Sequence, residues 1–222
     1  MSLFPDSQQS LGFPQPLSEK YRPKRIEEFI GLEKQKRILS AFIRRPVSCA
    51  WLFVGPSGTG KSTAALALAE ELQSELHKIP SQSCNVANIS DVVRSCWNVP
   101  YNWETGKPAG FHVVLADEAD QMSNAAQLAL LSKLDSTDAV PNTIWIFTAN
   151  DTERLEKRFL SRCRVLEFSS YGMRTEIADL LSHVWEQETG SKGELNWERI
   201  AKDSGTNVRA ALSALELELL AA

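Results

Sequence analysis

The 222-residue sequence has no apolar run approaching the roughly 20 residues that a membrane-spanning helix needs. Its first residues lack a basic start followed by an apolar stretch, so no secretory leader is expected and the cytoplasm is the expected compartment. The four cysteines, Cys49, Cys84, Cys96 and Cys163, include no Cys-x2-Cys pair, which removes the usual spacing of a zinc module. In a reducing compartment they are not expected to form disulfides. The three histidines, His77, His112 and His183, are isolated from one another in sequence and read as structural or surface groups. An excess of positive charge is also missing: 24 basic against 28 acidic residues leave no overall field to attract a polyanion. Any contact with nucleic acid therefore has to be a local patch, for which Arg94 and Lys107 are candidates.

What is present is a globular composition, 43% hydrophobic, in a chain long enough for one good core and a small satellite domain. Six tryptophans are mostly core candidates; Trp97 and Trp103 are less clear, because they flank a loop containing Pro and Gly. Residues 1–17 hold three prolines and many small polar side chains, the composition of a disordered tail.

The most specific stretch is Gly55-Pro56-Ser57-Gly58-Thr59-Gly60-Lys61-Ser62, which fits the phosphate-binding loop pattern G-x-x-x-x-G-K-[ST] at every fixed position. Its context agrees. Residues 50–54 form a short apolar run that reads as a buried strand, and residues 63–76, opening at Thr63, carry Leu66, Leu68, Ala69, Leu72 and Leu76 at helical spacing. A loop between a strand and a helix turns the helix's unpaired N–H groups and positive dipole end towards whatever it encloses. Glycines let the backbone approach phosphates, Lys61 reaches the β- and γ-phosphates, and the Ser62 hydroxyl is a ligand for Mg2+. The pattern therefore predicts a nucleoside triphosphate, taken as ATP with Mg2+.

A second apolar run, residues 111–116, delivers Asp117-Glu118-Ala119-Asp120 at its C-terminal end, the edge of a parallel sheet that faces the ligand crevice. Asp117 is positioned to hold Mg2+ and Glu118 to orient or deprotonate an attacking water, whereas Asp120 reads equally well as an acidic helix N-cap. A third run, residues 143–148, ends in Ala149-Asn150-Asp151. Asn150 is a common turn residue that, following these two motifs, becomes a candidate sensor of the γ-phosphate.

In this order the residues resemble the AAA+ ATPases, and within them the clamp-loader branch: replication factor C small subunits and the bacterial gamma/tau subunit. Ser18-Glu19-Lys20-Tyr21-Arg22-Pro23 with Glu27-Glu28-Phe29-Ile30-Gly31 is similar to the clamp-loader opening segment, which implies that Tyr21, Arg22, Pro23, Ile30 and Gly31 surround adenine and ribose. The Asp-Glu-Ala-Asp box and the following Ala126-Gln127-Leu128-Ala129-Leu130-Leu131 match the same branch. Ser161-Arg162-Cys163 resembles its Ser-Arg-Cys motif, implying that Arg162 acts in trans on a neighbouring subunit's ATP. Asn207-Val208-Arg209-Ala210-Ala211-Leu212 resembles its second sensor helix, implying that Arg209 contacts the γ-phosphate from a lid and that the helix begins near Thr206, a candidate N-cap. After Leu130 the replication factor C pattern has two basic residues where this chain has Leu131-Ser132, a detail closer to the bacterial subunit. The zinc-binding cysteines of that bacterial subunit are missing, so no zinc is expected.

The expected fold class is α/β: a tail over 1–17, a parallel-sheet AAA+ core of the phosphate-loop type over 18–170, and a small three-helix lid over 171–222, with helices near 174–188, 197–201 and 208–220. The resemblance implies an ATP-hydrolysing subunit working in a homo- or hetero-oligomer with primed or duplex DNA and a sliding clamp, with no membrane involved. Gln8-Gln9-Ser10-Leu11-Gly12-Phe13 fits the clamp-binding pattern Q-x-x-L-x-F. Clamp loaders of this branch continue past the lid into a helical collar, which this sequence does not contain, so a collar-less assembly or a cut chain is expected. Two alternatives share the same core: a clamp-associated regulatory adaptor with slow hydrolysis, and a branch-migration-type DNA motor. That motor family shares the opening segment but lacks the Ser-Arg-Cys motif.

Overall fold

Strands β1 (Cys49–Val54), β5 (His112–Ala116) and β6 (Thr143–Ala149) are near-continuous runs of Val, Ile, Leu, Phe, Trp and Ala, as strands buried on both faces must be. In the computed structural model, which describes residues 15–80, 84–135 and 140–221, they form the centre of a five-stranded parallel sheet in the order β2-β5-β6-β1-β7. The outer strands are β2 (Glu75–Ile79), paired to β5, and β7 (Arg164–Glu167), paired to β1. A two-stranded ribbon of β3 (Tyr101–Asn102) and β4 (Lys107–Pro108) lies apart from it.

The period-2 alternation of the strands divides the core between the two faces of the sheet. Leu52, Val114, Trp145 and Phe147 point to one face, where helix α4 (Val86–Ser95) and helix α5 (Asn124–Leu134) cover them with Ile89, Val93, Ala126 and Leu130. Trp51, Phe53, Val113, Ile144 and Ile146 point to the other, under α2 (Glu33–Arg44) and α3 (Lys61–Glu71). Helix α3 meets the sheet through Ala64, Ala65, Ala67, Leu68 and Ala69, small side chains that let its axis approach closely. Each large apolar side chain fully buried here is worth roughly 1.5–3 kcal/mol relative to exposure. Gln127, completely buried, ties α5 to the segment beyond β6: its Nε2 donates to the Arg154 carbonyl and its Oε1 accepts from the Glu156 N–H.

A third cluster belongs to the C-terminal helices α7 (Arg174–Thr189), α8 (Trp197–Asp203) and α9 (Val208–Ala221), through Ile177, Leu181, Val184, Ala201, Leu212 and Leu215. Leu17, expected in a disordered tail, is instead buried in this cluster. It begins the short helix α1 (Leu17–Lys20), and its apolar side chain completes the surface of the three helices. A second correction concerns α3, which ends at Glu71 rather than running on to Leu76. Gln73 takes a left-handed conformation (φ 50°), its N–H bonds the Glu70 carbonyl, and Leu76 lies in β2. Among the described residues no helix is long and apolar enough to cross a membrane.

Candidate nucleotide-binding and hydrolysis site

The phosphate-binding loop leaves β1 at Val54 and enters α3 at Lys61. Gly55 is required because a Cβ would sit 2.0 Å from the Phe168 carbonyl oxygen, and Gly58 because its φ is +79° and a Cβ would sit 2.1 Å from Asn207 Oδ1. The Lys61 side chain folds back over the loop, its Nζ donating to the carbonyls of Gly55 (2.5 Å) and Pro56 (2.9 Å) and to Asn150 Oδ1 (3.2 Å). Burial lowers the Lys61 pKa; Asp117 and Asp120 oppose that shift, and Arg209 adds to it. Two cations thus converge on one loop, an arrangement that favours a polyanion between them.

Ser62 Oγ donates to Asp117 Oδ1 at 2.6 Å. Asp117 follows β5 directly, and the same oxygen also accepts from Thr148 Oγ1 at the end of β6. Thr148 Oγ1 in turn accepts from the Glu118 N–H at 3.0 Å. Glu118 adopts the left-handed region at φ 53°, unusual for a side-chain-bearing residue, so its carboxylate leaves the direction of the strand and lines the same cleft. Thr148, which in sequence is only part of an apolar run, thus ties Asp117 and Glu118 to the end of β6. Asp120 is not a helix cap: it is buried in a short 3-10 turn with Oδ2 3.5 Å from Asn150 Nδ2, while Ser123 caps α5 by accepting from the Ala126 N–H.

One polar cleft is lined by Ser57, Lys61, Ser62, Thr63, Asp117, Glu118, Thr148 and Asn150, with Gly58 and Gly60 from the loop backbone. An adjoining, more apolar cleft is lined by Tyr21, Arg22, Pro23 and Ile30, together with Thr59, Gly60 and Thr63. Phe29, Met173 and Leu212 also line it; Phe29 and Leu212 fall inside the two motif stretches without a role assigned to them, whereas Met173 carries no motif and is found only from the packing of the C-terminal helices. Arg209 borders both clefts. Gly31 lines neither: its φ of +54° turns the chain, and a Cβ there would crowd Met173. Gly55 and Pro56 contribute their carbonyls to Lys61 rather than cleft surface.

Helix α9 begins at Val208, and its cap is Asn207 rather than Thr206. Thr206 has a left-handed backbone (φ 57°), and Asn207 is the cap, its Oδ1 accepting from the Ala210 N–H. Asn207 Nδ2 donates to the Ser57 carbonyl at 3.0 Å, so the residue that caps α9 also touches the phosphate loop. A second link runs from α1 to α7: Lys20 Nζ lies 2.8 Å from Glu188 Oε1, and the Tyr21 hydroxyl donates to the same carboxylate. Burial, helped by Glu188, pushes the Tyr21 phenol up to about 12, and hydrogen bonds from Lys20 and Tyr21 lower the Glu188 pKa.

Arg162 lines neither cleft of its own chain. It occupies the turn between α6 (Lys157–Leu160) and β7, held by Asp135 Oδ2 at 2.7 Å and by the Arg158 carbonyl at 2.8 Å. The neighbouring Cys163 is a partly buried thiol packed against the core, and desolvation pushes its pKa up to about 12. Trp97 and Trp103 are 61% and 77% exposed, unlike the buried Trp51, Trp145 and Trp185. Arg94 is exposed beside Asp91, and Lys107 is exposed on the ribbon. The clamp-like segment Gln8–Phe13 lies outside the described residues.

The ATPase family associated with various cellular activities (AAA) matches residues 51–171, more than half of the chain. The chain belongs to the AAA ATPase family. Among its curated relatives, this AAA chain is 33% identical over 202 residues to replication factor C small subunit 1 of Pyrobaculum arsenaticum, covering 90% of this chain and 60% of the relative. It is 32% identical over 203 residues to replication factor C subunit 3 of Blastobotrys adeninivorans, covering 90% and 59%. The chain therefore spans about 60% of the length of these curated relatives. Among solved structures it is similar to the Holliday junction branch migration motor RuvB of Thermotoga maritima, with a TM-score of 0.71 and 25% identity, covering 91% of this chain and 65% of that one. A RuvB mutant from the same organism superposes with a TM-score of 0.73 at 21% identity, a likeness of fold.

Proposed function

We propose that this AAA chain binds ATP with Mg2+ between core and lid, hydrolyses it, and works as a clamp-loader-type subunit of an oligomer acting on DNA and a sliding clamp in the cytoplasm. The observation that carries this reading is the convergence of Lys61, Ser62, Asp117, Glu118 and Asn150 with Arg209 of the lid in one cleft. The similarity to replication factor C small subunits supports the replication role.

The donor set fits a magnesium ion: Ser62 Oγ and Asp117 Oδ1 already share one locus 2.6 Å apart, and both are hard oxygen donors. When bound, Mg2+ would be held by Ser62 and Asp117 and would offset the negative charge of the phosphates. Lys61 exchanges its loop carbonyls for phosphate oxygens, and the N–H groups that open α3 receive the anion. Glu118 aligns the attacking water and accepts its proton, while Asn150 fixes the water's position. Tyr21, Arg22, Pro23 and Ile30 flank the base and ribose. Arg209 joins the two clefts, so the lid responds to whether a γ-phosphate is present. Arg162 serves the ATP of a neighbouring subunit, where a finger of this kind is worth roughly 10³–10⁵ in rate.

The test is steady-state ATP hydrolysis against protein concentration, with and without primed DNA and a sliding clamp. The account expects the rate per chain to climb with concentration and with DNA plus clamp. A slow rate indifferent to all three would overturn the motor and leave a nucleotide-gated adaptor.

A further inference from the structure

Three side chains far apart in sequence meet at the edge of the sheet remote from the nucleotide. β2 pairs with β5 so that Glu75 lies beside His112 and His77 beside Val114, which puts Glu75, His77 and His112 on one face. The C-terminal end of α4 brings Cys96 over that face, where it is buried with Val114 and Val93. His77, Cys96 and His112 each offer one ligand atom, and these atoms all lie within 4.8 Å of one another.

The hydrogen-bond inventory explains why the group is suited to a cation. His112 Nε2 donates to the Asn98 carbonyl at 3.0 Å, which fixes the tautomer and turns the Nδ1 lone pair towards the other members of the cluster. That Nδ1 lies 3.1 Å from His77 Nε2 and 3.3 Å from Glu75 Oε2. The Glu75 carboxylate is itself anchored by the Tyr101 N–H at 2.8 Å. The centre therefore gathers two imidazole nitrogens, a sulfur and a carboxylate oxygen; without metal, His77 Nε2–H donates to His112 Nδ1, and metal binding moves that proton to His77 Nδ1. Two nitrogens bound to one tetrahedral zinc at about 2.0–2.1 Å stand roughly 3.3 Å apart, close to the separation seen between the two imidazoles.

We propose that His77, Cys96 and His112 form a structural zinc site, with Glu75 supplying a second negative charge beside the Cys96 thiolate. Sulfur and imidazole ligands select zinc over the magnesium that serves the nucleotide. Binding exchanges the thiol proton for the metal: the Cys96 S–H gives up one H+ to solvent as the sulfur–zinc bond forms. The metal pins edge strand β2 to β5 and to α4. His112 opens β5, whose other end leads into Asp117, so the site acts on the sheet and not on the chemistry. The absence of Cys-x2-Cys spacing says nothing about this arrangement, because strand register and one helix end assemble it.

The test uses the untagged full chain. Loaded with zinc and then freed of loosely held metal, it should retain about one zinc per chain by elemental mass spectrometry. Cobalt in place of zinc should give the intense visible bands of a tetrahedral site and a thiolate-to-cobalt charge-transfer band in the near ultraviolet. His77→Gln, at the most accessible of the three positions, should lower zinc affinity at least ten-fold against a competing chelator. Cys96→Ser should abolish the charge-transfer band. Both variants should keep wild-type affinity for ATP, because neither residue lines the nucleotide clefts. If Cys96→Ser does not fold, His77→Gln and the wild-type cobalt spectrum decide. The proposal is overturned if the wild type retains no zinc, if cobalt gives only weak octahedral bands, or if His77→Gln binds zinc as tightly as the wild type.

Discussion

Glu118 combines a left-handed backbone with a place in the polar cleft, and the two are connected. A residue with a Cβ in that conformation costs roughly 1–2 kcal/mol, offset here by the Glu118 N–H bond to Thr148 and by its carbonyl accepting from the Gln121 N–H. Glu118→Gln preserves shape and backbone while removing the proton acceptor. ATP hydrolysis should fall by about 10²–10⁴-fold with ATP affinity retained, as measured by turnover alongside binding of a fluorescent nucleotide. Unchanged turnover would remove Glu118 from its assigned role. At this scale the sequence was most legible where a residue type is demanded by chemistry: Lys61, Ser62, Asp117 and Glu118 are unmistakable in their pattern. Thr148 was not, because nothing separates a hydroxyl that positions a carboxylate from a threonine that merely favours a strand. Asp120 reads from sequence as a possible cap because an acidic residue after a strand suits both uses, and only its place within the 3-10 turn beside Asn150 distinguishes them.

Among the elements, the three central strands were visible as apolar runs, whereas β2 was hidden. Its sequence Glu-Leu-His-Lys-Ile mixes charge with apolar residues because one edge and part of each face meet solvent, and Leu76 happens to continue the helical spacing of α3. The turn at Gln73, which breaks the helix, carries neither Gly nor Pro. The same limit hides the cap of α9, since Thr206 and Asn207 are both polar residues with capping chemistry on paper. The link between α1 and α7 gives a prediction with a defined pH dependence. Hydrogen bonds from Lys20 and Tyr21 depress the Glu188 pKa, so the stabilisation is present above the ordinary carboxylate range and disappears as pH falls through the depressed value. Exposed pairs of this kind contribute at most about 1 kcal/mol. Glu188→Gln should therefore lower Tm by no more than about 2–4 °C at neutral pH, and the difference from wild type should vanish in acid, as followed by thermal unfolding across a pH series. A difference that persists unchanged at low pH would assign the stabilisation to something other than this carboxylate.

For the molecule as a whole, the three hydrophobic clusters describe two faces of one sheet and a helical unit that borders the nucleotide cleft. The C-terminal helices reach the phosphate loop through Asn207 Nδ2, which donates to the Ser57 carbonyl, and border both clefts through Arg209. Arg162 lies outside its own chain's clefts, held by Asp135 and Arg158. The trans role proposed for it comes only from the resemblance to clamp loaders, since within its own chain Arg162 is accounted for by its pairing with Asp135 and the Arg158 carbonyl. The central claim is a site that is complete except for a neighbour's arginine, and mixing two crippled chains tests it most directly. Arg162→Ala keeps the cleft but offers no finger, while Glu118→Gln offers the finger from a site that cannot turn over. The account predicts that each variant alone hydrolyses ATP at least about 10²-fold more slowly than wild type, and that mixing them restores a substantial part of the lost rate. A mixture as slow as its components, or an Arg162→Ala chain as fast as wild type, would contradict it.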